Sequence, residues 1–247
     1  MSGHSKWATI KRAKGKTDAE RGKVFTKLGK ELAVAVKMGG ADPNSNPRLR
    51  DAIAKAKQNN MPNDNITRSI KKASGELGAI NYEDMTYEGY GIGGSAVIVE
   101  CLTDNKNRTV GDIRHYFDKY GGSLGSTGCV SYMFDKKGIL SLKKTDKTDE
   151  DAITMLALEV NAEDVINDDD FFQIITDPTK FSEIKEALEA KGLVFDDAEV
   201  RNIAQNYVDL SEEQMTTFLK MLDMLEDLDD VQEVWHNVNL SVESSED

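Results

Sequence analysis

The sequence predicts a multidomain α and α+β protein: an N-terminal helical bundle followed by two ferredoxin-like α+β domains, one inserted in the other. Three observations carry this expectation. Through about residue 74, apolar residues recur at helical spacing; beyond residue 80, short apolar runs alternate with amphipathic segments. The later elements fall in the order βαβ, then βαββαβ, then βαβ, and the middle set alone completes a ferredoxin-like succession. Charge also changes sign along the chain. Residues 1–80 hold 17 Lys or Arg against 7 Asp or Glu, a balance of +10, while the remainder balances at -23 within a total of -13.

In the first region, Thr17 and Glu20 have capping-box spacing, and the helix they open runs to Met38 before Gly39-Gly40 stops it. Asn46 and Pro47 cap and start a second helix through Gln58, with Leu49, Ile53 and Ala56 on one side. Asn63 caps a third, with Ile66, Ile70 and Ala73 inward and Gly75 as its terminator. Residues 2–16 carry Lys6, Lys11, Arg12, Lys14 and Lys16 but only Trp7 and Ile10 as sizeable apolar groups, so they read as an arm that orders on its target.

After residue 80, Ala96 to Leu102 reads as a strand, Arg108 to Tyr120 as a helix closed by Gly121-Gly122, and Val130 to Phe134 as a strand. Next come strand 138–143, helix 149–160, strands 163–167 and 171–176, helix 179–191 and strand 193–203. The last unit is strand 205–209, a helix capped by Ser211 with Gln214 three residues on, and strand 231–238. A lone βαβ unit leaves one sheet face poorly covered, so the two outer halves need each other. The expected domains are 1–80, basic and helical; 81–134 with 204–240, a split ferredoxin-like domain; 135–203, the inserted one; and 241–247, an acidic tail.

Several function classes are disfavoured. No run approaches the roughly 18 to 20 apolar residues needed to span a bilayer, and the first residues lack the apolar stretch of a secretory signal, so a cytoplasmic protein without membrane contact is expected. Cys101 and Cys129 lack CxxC spacing and read as buried free thiols. The GYGIGG at 89–94 precedes a strand, whereas a phosphate loop follows a strand and opens a helix; it reads as turn glycines. Asp168 to Asp170, and Asp227, Asp229 and Asp230, lack EF-hand spacing and read as solvated carboxylates. His4, His115 and His236 form no metal motif, and no spacing assembles a nucleophile, base and orienting acid. No cofactor, metal or catalytic residue is expected, and the protein reads as a non-enzyme.

The cationic region carries the functional expectation. At roughly 100° per residue, Lys23, Lys27, Lys30 and Lys37 fall in an arc of roughly 80°, opposite Val24, Leu28, Leu32 and Val36. Such a stripe on an exposed face attracts phosphates independently of sequence, and at physiological salt an acidic domain beyond roughly 8 Å does not cancel it. Two roles fit Trp7: stacking on an unpaired base, or anchoring the arm to the bundle. Arg48 and Arg50 lie about 200° apart on their helix, so at most one need face a ligand and the other is free to hold the bundle together.

The stretches GHSKW, RGKVFTKL, GGADPNSNPRLRDAIAKAKQNNMPNDNI, YEGYGIGG, VECLTDNKNRT and DLDDVQEVWHNV closely resemble the YebC/PmpR family, bacterial relatives of the mitochondrial translational activator of cytochrome c oxidase. The resemblance runs from residue 3 to about 239. It implies three domains, one helical and two α+β, and a DNA-binding transcriptional regulator of the cytoplasm. Members linked to ribosomes imply a second role, RNA-associated help for translation through proline-rich stretches. It also implies binding positions at Lys6, Lys11, Lys14, Arg21, Lys23, Lys27, Arg48, Arg50, Lys55, Lys57, Lys71 and Lys72, to which the residue reading adds Trp7, Arg12, Lys16 and Lys30. The chain departs from the family pattern at KRAK for KHRK, and at Ile92 and Ala204 where proline is common. The expectation is therefore a nucleic-acid-binding regulator, with DNA first and ribosomal RNA as the alternative. A protein-interaction scaffold is the third reading.

Overall fold

The computed structural model describes residues 18–75, 81–145, 149–167 and 171–240. Helix α1 (Asp18–Gly39), α2 (Pro47–Gln58) and α3 (Asn63–Ser74) form the bundle. Their apolar stripes meet in one core of Leu28, Leu32, Val36, Leu49, Ala56, Met61 and Ile66. Asn46 fixes the corner between α1 and α2. Its buried side chain accepts from Leu49 N, capping α2, and donates to the carbonyls of Ala35 at 2.7 Å and Gly40 at 2.8 Å. A methyl group at position 39 would come within 2.7 Å of that side chain, so Gly39 lets it approach. The expected cap at Thr17 lies outside the described residues.

The first sheet contains β1 (Glu83–Tyr90), β2 (Ala96–Thr103), β3 (Ser123–Leu124) and β8 (Val231–His236), in the antiparallel order β3-β1-β2-β8. Helices α4 (Lys106–Lys119) and α7 (Glu212–Glu226) accompany it. Gly93 and Gly94 take φ of +68° and +75° in the turn joining β1 to β2, so the GYGIGG stretch is a hairpin connection.

Three expectations about this sheet need correction, and with them the ferredoxin-like reading of the split domain. β1 was not anticipated, because EDMTYEGY carries few apolar residues; its pairing with β2 holds it in place. Val130 to Phe134 is not a strand: the N–H groups of Gly128, Val130 and Ser131 donate to the buried carboxylate of Glu88 rather than to a neighbouring strand. Residues 205–209 contribute only an isolated bridge, Val208 to Val238.

The second sheet joins β4 (Phe134–Lys143), β5 (Asp164–Asn167), β6 (Phe171–Thr176) and β7 (Asp197–Ala204) in the antiparallel order β5-β6-β4-β7. That is the order a ferredoxin-like βαββαβ succession produces, as expected for this stretch. Helices α5 (Glu150–Glu159) and α6 (Phe181–Ala190) pack through Ile153, Ala157, Ile184 and Leu188 against Leu140, Leu142, Phe172 and Ile174. The bundle and the first sheet belong to one compact unit, 11–131 with 208–238, and the second sheet to another, centred on 132–207. Among the described residues no helix is long and apolar enough to cross a membrane.

Candidate nucleic-acid interface

Helical spacing does align Lys23, Lys27 and Lys30 on one side of α1, but that side is not an open face: Lys30 is buried and Lys23 and Lys27 are half-buried. It lies against the segment that ends α7 and leads into β8. Lys23 Nζ reaches Asp227 Oδ1 at 2.5 Å, Lys27 Nζ the carbonyl of Glu226 at 2.6 Å, and Lys30 Nζ the carbonyl of Asp229 at 2.8 Å. Cations are favoured at the carboxyl end of a helix, where carbonyls lack intrahelical partners.

Asp230 is the centre of this contact. It accepts from Lys30 Nζ at 2.7 Å, Arg108 Nη2 at 2.6 Å, Thr109 Oγ1 at 2.9 Å and Thr103 Oγ1 at 3.2 Å. Burial pushes its carboxyl up, but the hydrogen bonds from Lys30, Arg108 and Thr109 prevail and hold it down at about 2. The reading of Asp230 as a solvated carboxylate is thereby corrected, since it is buried. Lys30 also lies 5.5 Å from the centre of the Tyr82 ring.

Two further expected site residues are drawn into the same unit. Lys55 bridges Glu31 at 2.9 Å and Glu233 at 3.0 Å; burial lowers its affinity for a proton, and the two carboxylates more than restore it. Arg48 and Arg50 are both exposed, and Arg48 pairs with Asp84 at 3.1 Å in a solvent-exposed contact. The picture of one open cationic face on α1 is therefore corrected: part of the opposite charge in the two halves of the sequence is used internally, to dock the bundle on its own unit.

A set of outward cations lies on α2 and α3. Arg50 and Lys57, seven residues apart on α2, share a side of that helix, and Arg68, Lys71 and Lys72 fall within about 100° on α3. All five are exposed and make no ion pair among the described residues. Arg68 was not anticipated, although its spacing to Lys71 and Lys72 carried the signal. Arg21 is exposed at the start of α1. Lys6, Trp7, Lys11, Arg12, Lys14 and Lys16 lie outside the described residues.

Two hollows differ in charge. One, of about 280 Å³, is lined by Lys30 and Arg108 but also by Asp112, Asp229 and Asp230, which leaves no positive excess for a phosphate. The other, a groove of about 250 Å³ beside α1 and α3, is lined among the described residues by Lys30, Lys37 and Lys72 with Phe25 and Tyr82, and by no carboxylate. Lysines next to ring faces and edges can hold a phosphate and an apolar base surface together. Elsewhere, burial pushes the Cys101 thiol up to about 12, away from nucleophilic chemistry at neutral pH. Among the described residues no His, Cys, Asp or Glu group is arranged to hold a metal; Asp168 to Asp170 and His4 lie outside them.

Family models match nearly the whole chain: the TACO1/YebC protein N-terminal domain over residues 5–76, and the TACO1/YebC second and third domain over 82–238. A probable transcriptional regulatory protein of Ruminiclostridium cellulolyticum is 58% identical, with 100% of both chains covered. One of Acetivibrio thermocellus is 56% identical over 96% of this chain and 98% of its own. A crystal structure of a conserved hypothetical protein from Aquifex aeolicus matches with a TM-score of 0.82 and 43% identity, covering 95% of this chain and 96% of that one.

Proposed function

This chain belongs to the TACO1/YebC family, and on that premise we propose that it is a nucleic-acid-binding regulator of gene expression that acts by binding rather than by covalent chemistry. Its relatives carry the name probable transcriptional regulatory protein, which puts DNA first as the target. The observation that carries the proposal is the outward cationic set on α2 and α3, with the groove beside it that no carboxylate lines among the described residues. The binding face is Arg50, Lys57, Arg68, Lys71 and Lys72. The row Lys23, Lys27 and Lys30 holds the bundle in place behind it.

Lys and Arg dominate this face, and such groups read phosphates rather than base edges. For that reason structured RNA is the second reading, and with it a cytoplasmic role on the ribosome. The experiment is fluorescence anisotropy of the full chain with a labelled DNA duplex and with a ribosomal RNA fragment across a salt series. Neutralising about five phosphates gives a slope of roughly -4.5 in log affinity against log salt on duplex DNA. A flat dependence on both targets refutes the proposal; binding confined to the RNA moves it to translation.

A further inference from the structure

Helix α5 is unusual for a helix lying on one side of a sheet. Six of its ten residues, Ala152, Ile153, Met155, Leu156, Ala157 and Leu158, are apolar and spread around its circumference. Only one side is used: Ile153 and Ala157 are buried against the second sheet, with Leu156 packed at its margin. Met155 and Leu158 are left 59% and 61% exposed, and Val194, in the turn after α6, 83% exposed. An ion pair between Lys191 and Glu159 joins the end of α5 to that same turn. A helix that is apolar all round is ordinarily covered on both sides, and a flexible methionine thioether suits a surface that receives more than one shape.

The geometry points to this outer face of α5 as a docking site for a cationic amphipathic helix of a partner protein. Charge selects the occupant. Asp151 lies on the same side of α5 as Met155 and Leu158, four and seven residues away, and makes no ion pair among the described residues; the same is true of Glu183 and Glu186 on α6. Residues 132–207 hold 18 Asp or Glu against 9 Lys or Arg. Nucleic acid and anionic lipid are repelled by such a surface. A second copy docked through a twofold axis would set one net-acidic surface against another. A helix with an apolar stripe between lysines and arginines satisfies both the exposed Met155, Leu158 and Val194 and the carboxylate of Asp151 on the same side of α5.

The test uses the full chain and two labelled peptides of identical composition, about 18 residues of Leu and Lys, one ordered to give an apolar helical face and one reordered to abolish it. Because both carry the same charge, their difference reads the apolar match. The ordered peptide is expected to bind at least about 10-fold tighter, and Met155→Gln with Leu158→Gln to remove that difference without shifting the melting temperature. Asp151→Lys, which leaves the apolar residues in place, is expected to weaken the ordered peptide as well. Equal binding of the two peptides, no binding of either, or an unchanged difference in the double variant overturns the assignment. So does light scattering that shows a dimer which the double variant dissociates.

Discussion

Lys30 and Asp230 form an ion pair at 2.7 Å with both side chains only 10% exposed, joining the helical bundle to the first sheet across 200 residues of sequence. Removing one partner of such a pair strands the other. Asp230→Ala leaves Lys30 without its carboxylate and takes an acceptor from Arg108, Thr109 and Thr103, so it is expected to destabilise this unit by about 3–5 kcal/mol. Lys30→Met keeps the stem's packing and leaves Asp230 its other donors, so it is expected to cost less. Urea denaturation followed by tryptophan fluorescence compares the two; equal costs contradict the central role of Asp230.

The same carboxylate sets an acid limit. Its folded-state pKa of about 2 lies below the ordinary aspartate value, so its stabilisation is fully present above about pH 5 and is lost as pH falls from about 4 through 2. Glu88 acts in the same direction: burial pushes its carboxyl up, but donation from Gly128, Val130 and Ser131 outweighs burial and lowers it. Melting temperature measured from pH 6 to pH 2 should fall steeply at the acid end, and Asp230→Asn should flatten that fall while lowering the plateau.

Glu88→Gln tests the loop that Glu88 holds. An amide offers one acceptor oxygen in place of two and turns N–H donors toward backbone donors, at a cost of about 1–3 kcal/mol. Limited proteolysis should then cut residues 121–131 faster, with the bundle unaffected.

Charge reversal should separate the two cationic sets. Lys71→Glu with Lys72→Glu is expected to weaken nucleic-acid binding by about 100-fold, the equivalent of about 2.7 kcal/mol, with no change in melting temperature. Lys30→Glu is expected to lower the melting temperature, because it sets two carboxylates together in a buried contact. If Lys71 and Lys72 reversal leaves affinity unchanged, the outward face of α3 is not the binding face.

Where neighbours in sequence are neighbours in space, the fold was legible. The bundle followed from helical spacing, and the second sheet from strands whose apolar runs are bounded by turns. β1 escaped because its eight residues depend on β2 for their place rather than on an apolar pattern of their own. The lysine row was legible as a row, since periodicity gives its angular position on α1. What it faces was not: Asp227 follows Lys23 by 204 residues, and no local pattern encodes that meeting. For the same reason, total charge by region overstated the free positive surface, while Arg68 went unnoticed beside better-placed neighbours.

The first sheet is completed late in synthesis. Residues up to 131 leave the ribosome well before Asp230 and β8, which are separated from them by the whole second unit. At 5–20 residues per second, roughly 100 residues take about 5 to 20 s. For that interval the nascent chain carries α1 with its ammonium row lacking its counter-ions and β2 with one edge unpaired, beside a particle made largely of RNA.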